Sequence, residues 1–86
     1  MKKNITEEIA VLNKVLPVVV RVHGKEHPEL KDVQDAYERF KVSFEQGKGE
    51  SELAEIRELT DHYTLPSDAC EAYAKVYDAF REIDKN

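Results

Sequence analysis

Apolar side chains recur every three to four residues through most of the chain, and that spacing specifies helices. Ile5, Ile9, Leu12, Leu16 and Val19 set the pattern, with His23 on the same stripe. Leu30, Val33, Tyr37, Phe40 and Phe44 repeat it, then Leu53, Ile56, Leu59 and Tyr63, then Ala69, Tyr73, Val76, Tyr77, Phe80 and Ile83. The spacing never turns into the strict alternation of a half-buried strand, and there is no hairpin signal, internal repeat or low-complexity tract. Breakers fall between the runs: Gly24 and Pro28, Gly47 and Gly49, then Pro66. The spacing therefore predicts four helices, over about 5–22, 28–46, 51–63 and 66–84. Short links favour antiparallel neighbours, so the expected fold is all-α: an antiparallel up-and-down four-helix bundle with a short third helix. The 86 residues suffice for one domain, 1–86, around one modest core.

Local signals refine the first helix. Asn4 can cap its start, with Glu7 three residues on as the reciprocal partner. Pro17 removes one backbone hydrogen bond, so a kink is expected there. Gly24 is expected to end the helix in a left-handed turn. A second stripe, Val11, Val15, Val18 and Val22, lies beside the core stripe. Together the two span an arc of roughly 200°, about twice what a surface helix needs to cover a core. Surplus apolar surface of this kind marks an interface.

Charge and cysteine usage exclude several classes. The formal charge is −5, with 36% charged residues. No basic stripe is interleaved with aromatics, so a nucleic-acid partner is not expected. No run reaches the ~20 apolar residues of a membrane helix, and no leader with a small-residue cleavage site is read at the start. A single cysteine, Cys70, precludes an internal disulfide and fits a reducing, cytoplasmic setting. There is no phosphate-cradling glycine loop, no CxxC and no nucleophile elbow.

Four titratable residues remain as site candidates. His23 lies at the centre of an apolar stripe. It reads either as a helix-terminal imidazole bonding the last carbonyls, or as an inward metal ligand of the kind bundles use. His27 follows four residues later, but Gly24 and Pro28 break the helix between them, so His27 reads as a residue of the next helix start. His62 ends a helix and reads as solvated. Cys70 reads as a small buried hydrophobe, or as a reactive thiol whose pKa is lowered by the start of the fourth helix. Tyr37, Tyr73 and Tyr77 sit at core spacing.

Two blocks carry a family resemblance. "RVHGKEHPEL" (Arg21 to Leu30) resembles the end of the first helix in hemerythrin-like di-iron proteins of the iron-sulfur cluster repair family. "EIRELTDHYTLPSDACEAYAKVY" (Glu55 to Tyr77) resembles that family's last helix-turn-helix, where a Thr-Asn-Asn-Tyr-x-x-Pro-x-x-x-Cys pattern leads into the final helix. The blocks occur in the family's order and cover well over a third of the chain. The resemblance implies a hemerythrin-like bundle and, by position, a metal-ligand role for His23. It also implies gaps. The family's His-x-x-x-Glu pair on the second helix has no counterpart. A Glu-His-Asp start to its third helix is reduced to Glu45-Gln46. An earlier ligand would fall at or before Met1, where there is no histidine, and the final His-x-x-x-Glu would follow Asn86. His27 matches a family residue that is not a ligand, and His62 replaces an asparagine.

The expectation is a ligand-poor relative of the cluster-repair proteins that acts by protein association, as a homo-oligomer or with another protein, through Val11, Val15, Val18 and Val22. It is expected to need no cofactor and to be no enzyme. Two alternatives stand beside it. One is an iron-type metal site shared between subunits through His23, with Glu26 or Glu45 near it. The other is a thiol-based stress or redox protein using Cys70.

Overall fold

The computed structural model describes residues 5–85. Within them the chain forms four α-helices and no strand: α1 (Ile5–His23), α2 (Glu29–Glu45), α3 (Glu50–Leu59) and α4 (Glu71–Lys85). The expected Asn4 cap lies outside the described residues. α1 packs chiefly on α4, and α2 on α3, with a lighter α1–α2 contact. One core joins them, built from Leu12, Leu16 and Val19 of α1, Leu30, Val33, Tyr37 and Phe40 of α2, Ile56 of α3, and Tyr73, Val76, Tyr77, Phe80 and Ile83 of α4. These are the residues that the three-to-four spacing selects. Each buried aliphatic or phenylalanine side chain contributes about 1.5–3 kcal/mol against its exposed state. Tyr37 ties α2 to α1, its hydroxyl donating to the Ile9 carbonyl at 3.1 Å and to Asn13 Oδ1 at 2.8 Å. A two-pronged ion pair, Arg39 to Glu55 at 2.9 Å on both nitrogens, ties α2 to α3.

Three helix ends and one core residue depart from the sequence reading, each for a local reason. α1 runs through Pro17 and ends at His23, but Gly24 is not left-handed. Its N–H bonds the Val20 carbonyl at 2.8 Å, and a Cβ would collide with that oxygen, so glycine is required by close approach instead. The left-handed glycines are Gly47 and Gly49, in the α2–α3 link. Phe44, expected in the core, is 37% exposed and stacks on Phe40 at the edge of a groove beside that link.

α3 stops at Leu59, four residues early. Thr60 Oγ1 donates to the Ile56 carbonyl at 2.8 Å and accepts the Tyr63 N–H at 3.0 Å. Asp61, His62 and Tyr63 then all take left-handed backbone, with φ of 50°, 57° and 63°. Aspartate and histidine tolerate this conformation better than most residues, and Asn is the other polar residue that does. Tyr63 stays buried because the turn folds it back: Arg81 Nη2 donates to its carbonyl at 2.6 Å and its hydroxyl donates to Asp84 at 3.1 Å.

α4 begins at Glu71, five residues later than Pro66. Pro66 closes a separate turn, its carbonyl accepting from the Ala69 N–H at 3.1 Å. The first carbonyl taken up by α4 is that of Cys70, which accepts from Ala74 at 3.0 Å. This shift moves Cys70 from a helix face to a helix start, and with it the residue's environment.

Candidate functional site

Two histidines around the α1–α2 link meet residues just before α4 that lie 41 and 47 positions further along the chain. His23 closes α1 and Cys70 opens α4, and His23 Nε2 is 3.2 Å from Cys70 Sγ. In the thiol state the S–H donates to Nε2; in the thiolate state an Nε2–H donates to sulfur. His27 reaches from the α1–α2 link to Asp68, with Nε2 at 2.9 and 3.0 Å from the two carboxylate oxygens, and Nδ1 is 3.5 Å from Glu29. Tyr73, one turn into α4, stands between the imidazoles. Its ring meets His23 edge-on at 5.1 Å and His27 at 5.7 Å, both within the range of favourable aromatic pairs.

The electrostatics follow from this geometry. Cys70 is exposed, and its thiol is held below its ordinary pKa. The largest cause is the Tyr73 backbone N–H, followed by the bond from His23, with the Ala72 N–H adding to them. Cys70 thus stands just before the first turn of α4, where the free N–H groups of a helix start favour the thiolate. His27 is raised, first by its hydrogen bond to Asp68 and then by the charges of Asp68, Glu29 and Glu26. Asp68 is lowered, first by the bond from His27. The ring of Tyr73 is completely buried, and burial raises its phenol. Among the described residues that hydroxyl has no hydrogen-bond partner of good geometry, although the Tyr77 hydroxyl is near enough to influence it.

The expected site residues sort as follows. The structure brings together His23 and Cys70, which the sequence offered as separate candidates. Cys70 is not a buried hydrophobe; the late start of α4 puts it in solvent. His27 does not cap α2. Pro28 takes that position without a side-chain cap, and His27 turns across to Asp68. His62 is exposed, as read. Asp68 escaped the sequence reading, because nothing in a single chain announces a pairing with a histidine 41 residues away. Among the described residues no three His, Cys, Asp or Glu side chains converge as a metal-binding group. His23 and Cys70 supply two donors, and two donors hold a metal ion weakly unless others complete the shell.

The four valines divide. Val11 and Val15 pack partly against the core beside α4, whereas Val18 is 40% and Val22 60% exposed. A groove of about 550 Å³ around Phe44 and Gly49 lies beyond the far end of α2 from Cys70. A smaller cleft of about 180 Å³ is lined by His27, Tyr73 and Tyr77 and does not include Cys70. The thiol faces solvent. No described helix is long and apolar enough to cross a membrane. In comparisons with known proteins, no family model, no curated protein and no solved structure matches the chain.

Proposed function

We propose that this chain is a small thiol protein built on the scaffold of the hemerythrin-like cluster-repair proteins, without a complete di-iron site, and that Cys70 is its working group. The observation that carries the reading is the placement of Cys70 sulfur at the start of α4, 3.2 Å from His23 Nε2 and open to solvent. Thiolate is the nucleophilic form of cysteine, and helix-start N–H groups with a neighbouring imidazole are what favours it near neutral pH. The reaction class is reversible thiol–disulfide exchange. Cys70 thiolate attacks one sulfur of a small disulfide; a Cys70 mixed disulfide forms and one thiolate leaves. With a single cysteine in the chain, the mixed disulfide is resolved by a thiol from outside. His23 stabilises the attacking thiolate and again the thiolate released from Cys70 on resolution. A cytoplasmic setting, where small thiols are abundant, suits this cycle.

The test is the pH dependence of alkylation of Cys70 by iodoacetamide, together with mass analysis after exposure to glutathione disulfide. The expected result is a thiol that titrates below the ordinary cysteine range, with its apparent pKa moved up in His23→Gln, and a single glutathione adduct that a thiol reductant removes. Titration of Cys70 as a free cysteine in both proteins would overturn the proposal. A second reading, association with a protein partner, is favoured by the exposure of Val18 and Val22. It uses a different stretch of α1 and does not exclude the first.

A further inference from the structure

Between the left-handed turn after α3 and the first turn of α4, burial does little to hold the chain. None of residues 64–70 is buried, and only Pro66 and Ala69 are partly covered. The backbone bonds of this stretch are local, from Thr64 N–H to the Thr60 carbonyl at 3.0 Å and from Ala69 N–H to the Pro66 carbonyl at 3.1 Å. A stretch with so little apolar burial is held weakly by the core. Its last residue is Cys70, whose sulfur keeps a 3.2 Å contact with His23 only while the stretch stays in place.

Two side-chain contacts reach from this stretch to the end of α1 and its link. One is Cys70 to His23, and the other is the Asp68 carboxylate to His27 Nε2 at 2.9 and 3.0 Å. The backbone closes them into a circuit. His27 N–H donates to the His23 carbonyl at 2.9 Å, and Asp68 stands two residues before Cys70. Tyr73, anchored by its own burial, is edge-on to both imidazoles. His27 Nδ1 is 3.5 Å from Glu29, so the imidazole lies between two carboxylates. A charged partner makes such a bond roughly twice as strong as a neutral one.

We infer that Asp68 is a positioning residue for Cys70: its bond to His27 holds the approach to α4 so that the sulfur stays against His23. This inference rests on the thiol reading of Cys70 and names what sustains the thiol's environment. Asp68 has two effects on the thiol, and they differ in sign. Its negative charge, two residues away, disfavours a second negative charge on sulfur. Its bond to His27 favours the thiolate, because it keeps the His23 donor in reach. Removing the carboxylate therefore lowers the thiol pKa where charge dominates and raises it where positioning dominates. Charge is the smaller effect, since Asp68 and Cys70 are both exposed and water screens their repulsion. A hydrogen bond weakens steeply once its donor is displaced or misaligned.

The experiment follows iodoacetamide alkylation of Cys70 in the full chain across pH. It compares the natural protein, Asp68→Ala, Asp68→Asn, His23→Gln and the double variant His23→Gln with Asp68→Ala. Asp68 is exposed, and thermal unfolding followed by circular dichroism checks that each variant folds. The expected result is a thiol pKa that rises in Asp68→Ala, with the thiolate fraction at neutral pH falling about threefold or more. Asp68→Asn keeps an acceptor for His27 Nε2–H and should raise it less. In the His23→Gln background, Asp68→Ala should move the pKa less than it does alone, because the contact that it sustains is already gone. A thiol that titrates low in the natural protein and no higher in Asp68→Ala overturns the positioning role and leaves the Cys70 reading standing. Full additivity of the two substitutions overturns the route through His23. A natural thiol that titrates as a free cysteine overturns both the reading and this inference.

Discussion

Replacing Tyr37 and Tyr73 in turn by phenylalanine removes one hydroxyl from each of two rings that are both buried to within 1%. The apolar burial and the ring contacts are nearly unchanged in both cases, so the difference isolates what each hydroxyl does. The Tyr37 hydroxyl donates to the Ile9 carbonyl and to Asn13 Oδ1. A buried hydrogen bond contributes a net 0.5–1.5 kcal/mol, and here the acceptors left behind have other partners, so the loss is about 1 kcal/mol. The Tyr73 hydroxyl is buried without a bond of good geometry among the described residues. Such a group costs about 1–3 kcal/mol, offset in part by the small void its removal leaves. Tyr73→Phe is therefore expected to stabilise by about 0.5–1.5 kcal/mol. For a domain of this size 1 kcal/mol moves Tm by about 4–8 °C. Thermal denaturation followed by circular dichroism should show Tm falling for Tyr37→Phe and rising for Tyr73→Phe. If Tyr73→Phe loses as much as Tyr37→Phe, then the Tyr73 hydroxyl is well bonded, to Tyr77 or to water, and the reasoning fails.

Three further outcomes are expected. The His27–Asp68 contact makes stability depend on pH from both sides. His27 is raised above its ordinary 6.5, so its contribution is present below that pH and fades as pH climbs through the elevated folded-state value. Asp68 is lowered from 3.8, so its contribution is present above that pH and fades as pH falls through the depressed value. NMR titration of the His27 ring should show the elevated value returning toward 6.5 in Asp68→Asn; an unchanged titration would mean that the contact does not form in solution. Gly49→Ala should destabilise by about 2 kcal/mol or more, because φ is 128° and a Cβ would press to 2.7 Å from the Phe40 ring, whereas Gly47→Ala meets no atom and should show only the left-handed strain of about 1 kcal/mol. Chemical denaturation of the two variants gives the comparison, and equal losses would speak against the Phe40 contact. Val15→Asp should lower stability more than Val18→Asp, since Val15 is packed on the core and Val18 is 40% exposed; equal unfolding midpoints would contradict that division of the valine stripe.

Helix number and core membership were legible because both rest on one local regularity. Leu12, Leu16, Val33, Tyr37, Ile56, Val76 and Phe80 repeat at the spacing that puts side chains on one side of a helix, and only burial of that side makes the helices stable. The ends were less legible. Thr60 and the left-handed run at Asp61, His62 and Tyr63 end α3 by side-chain capping and tolerated strain, whereas periodicity continues through to Tyr63. Phe44 keeps the spacing of the core but sits at the end of α2, where the groove beside the Gly47–Gly49 link leaves it half uncovered.

The site shows the same division at higher stakes. By itself the sequence determined that His23 would sit at the end of a helix and that Cys70 would lie near the beginning of another, because Gly24, Pro28 and Pro66 restrict where helices can stop and start. It also determined that the chain has one thiol and one register of surplus valines on α1. Only the tertiary structure decided that the thiol would face solvent, that His23 would be its neighbour, and that His27 would turn to Asp68. Those are contacts across more than forty residues, and they depend on how two helix ends are aimed at one another. Local propensity fixes the elements, but the aim is set by which core side chains interlock, and that is a property of the packed whole.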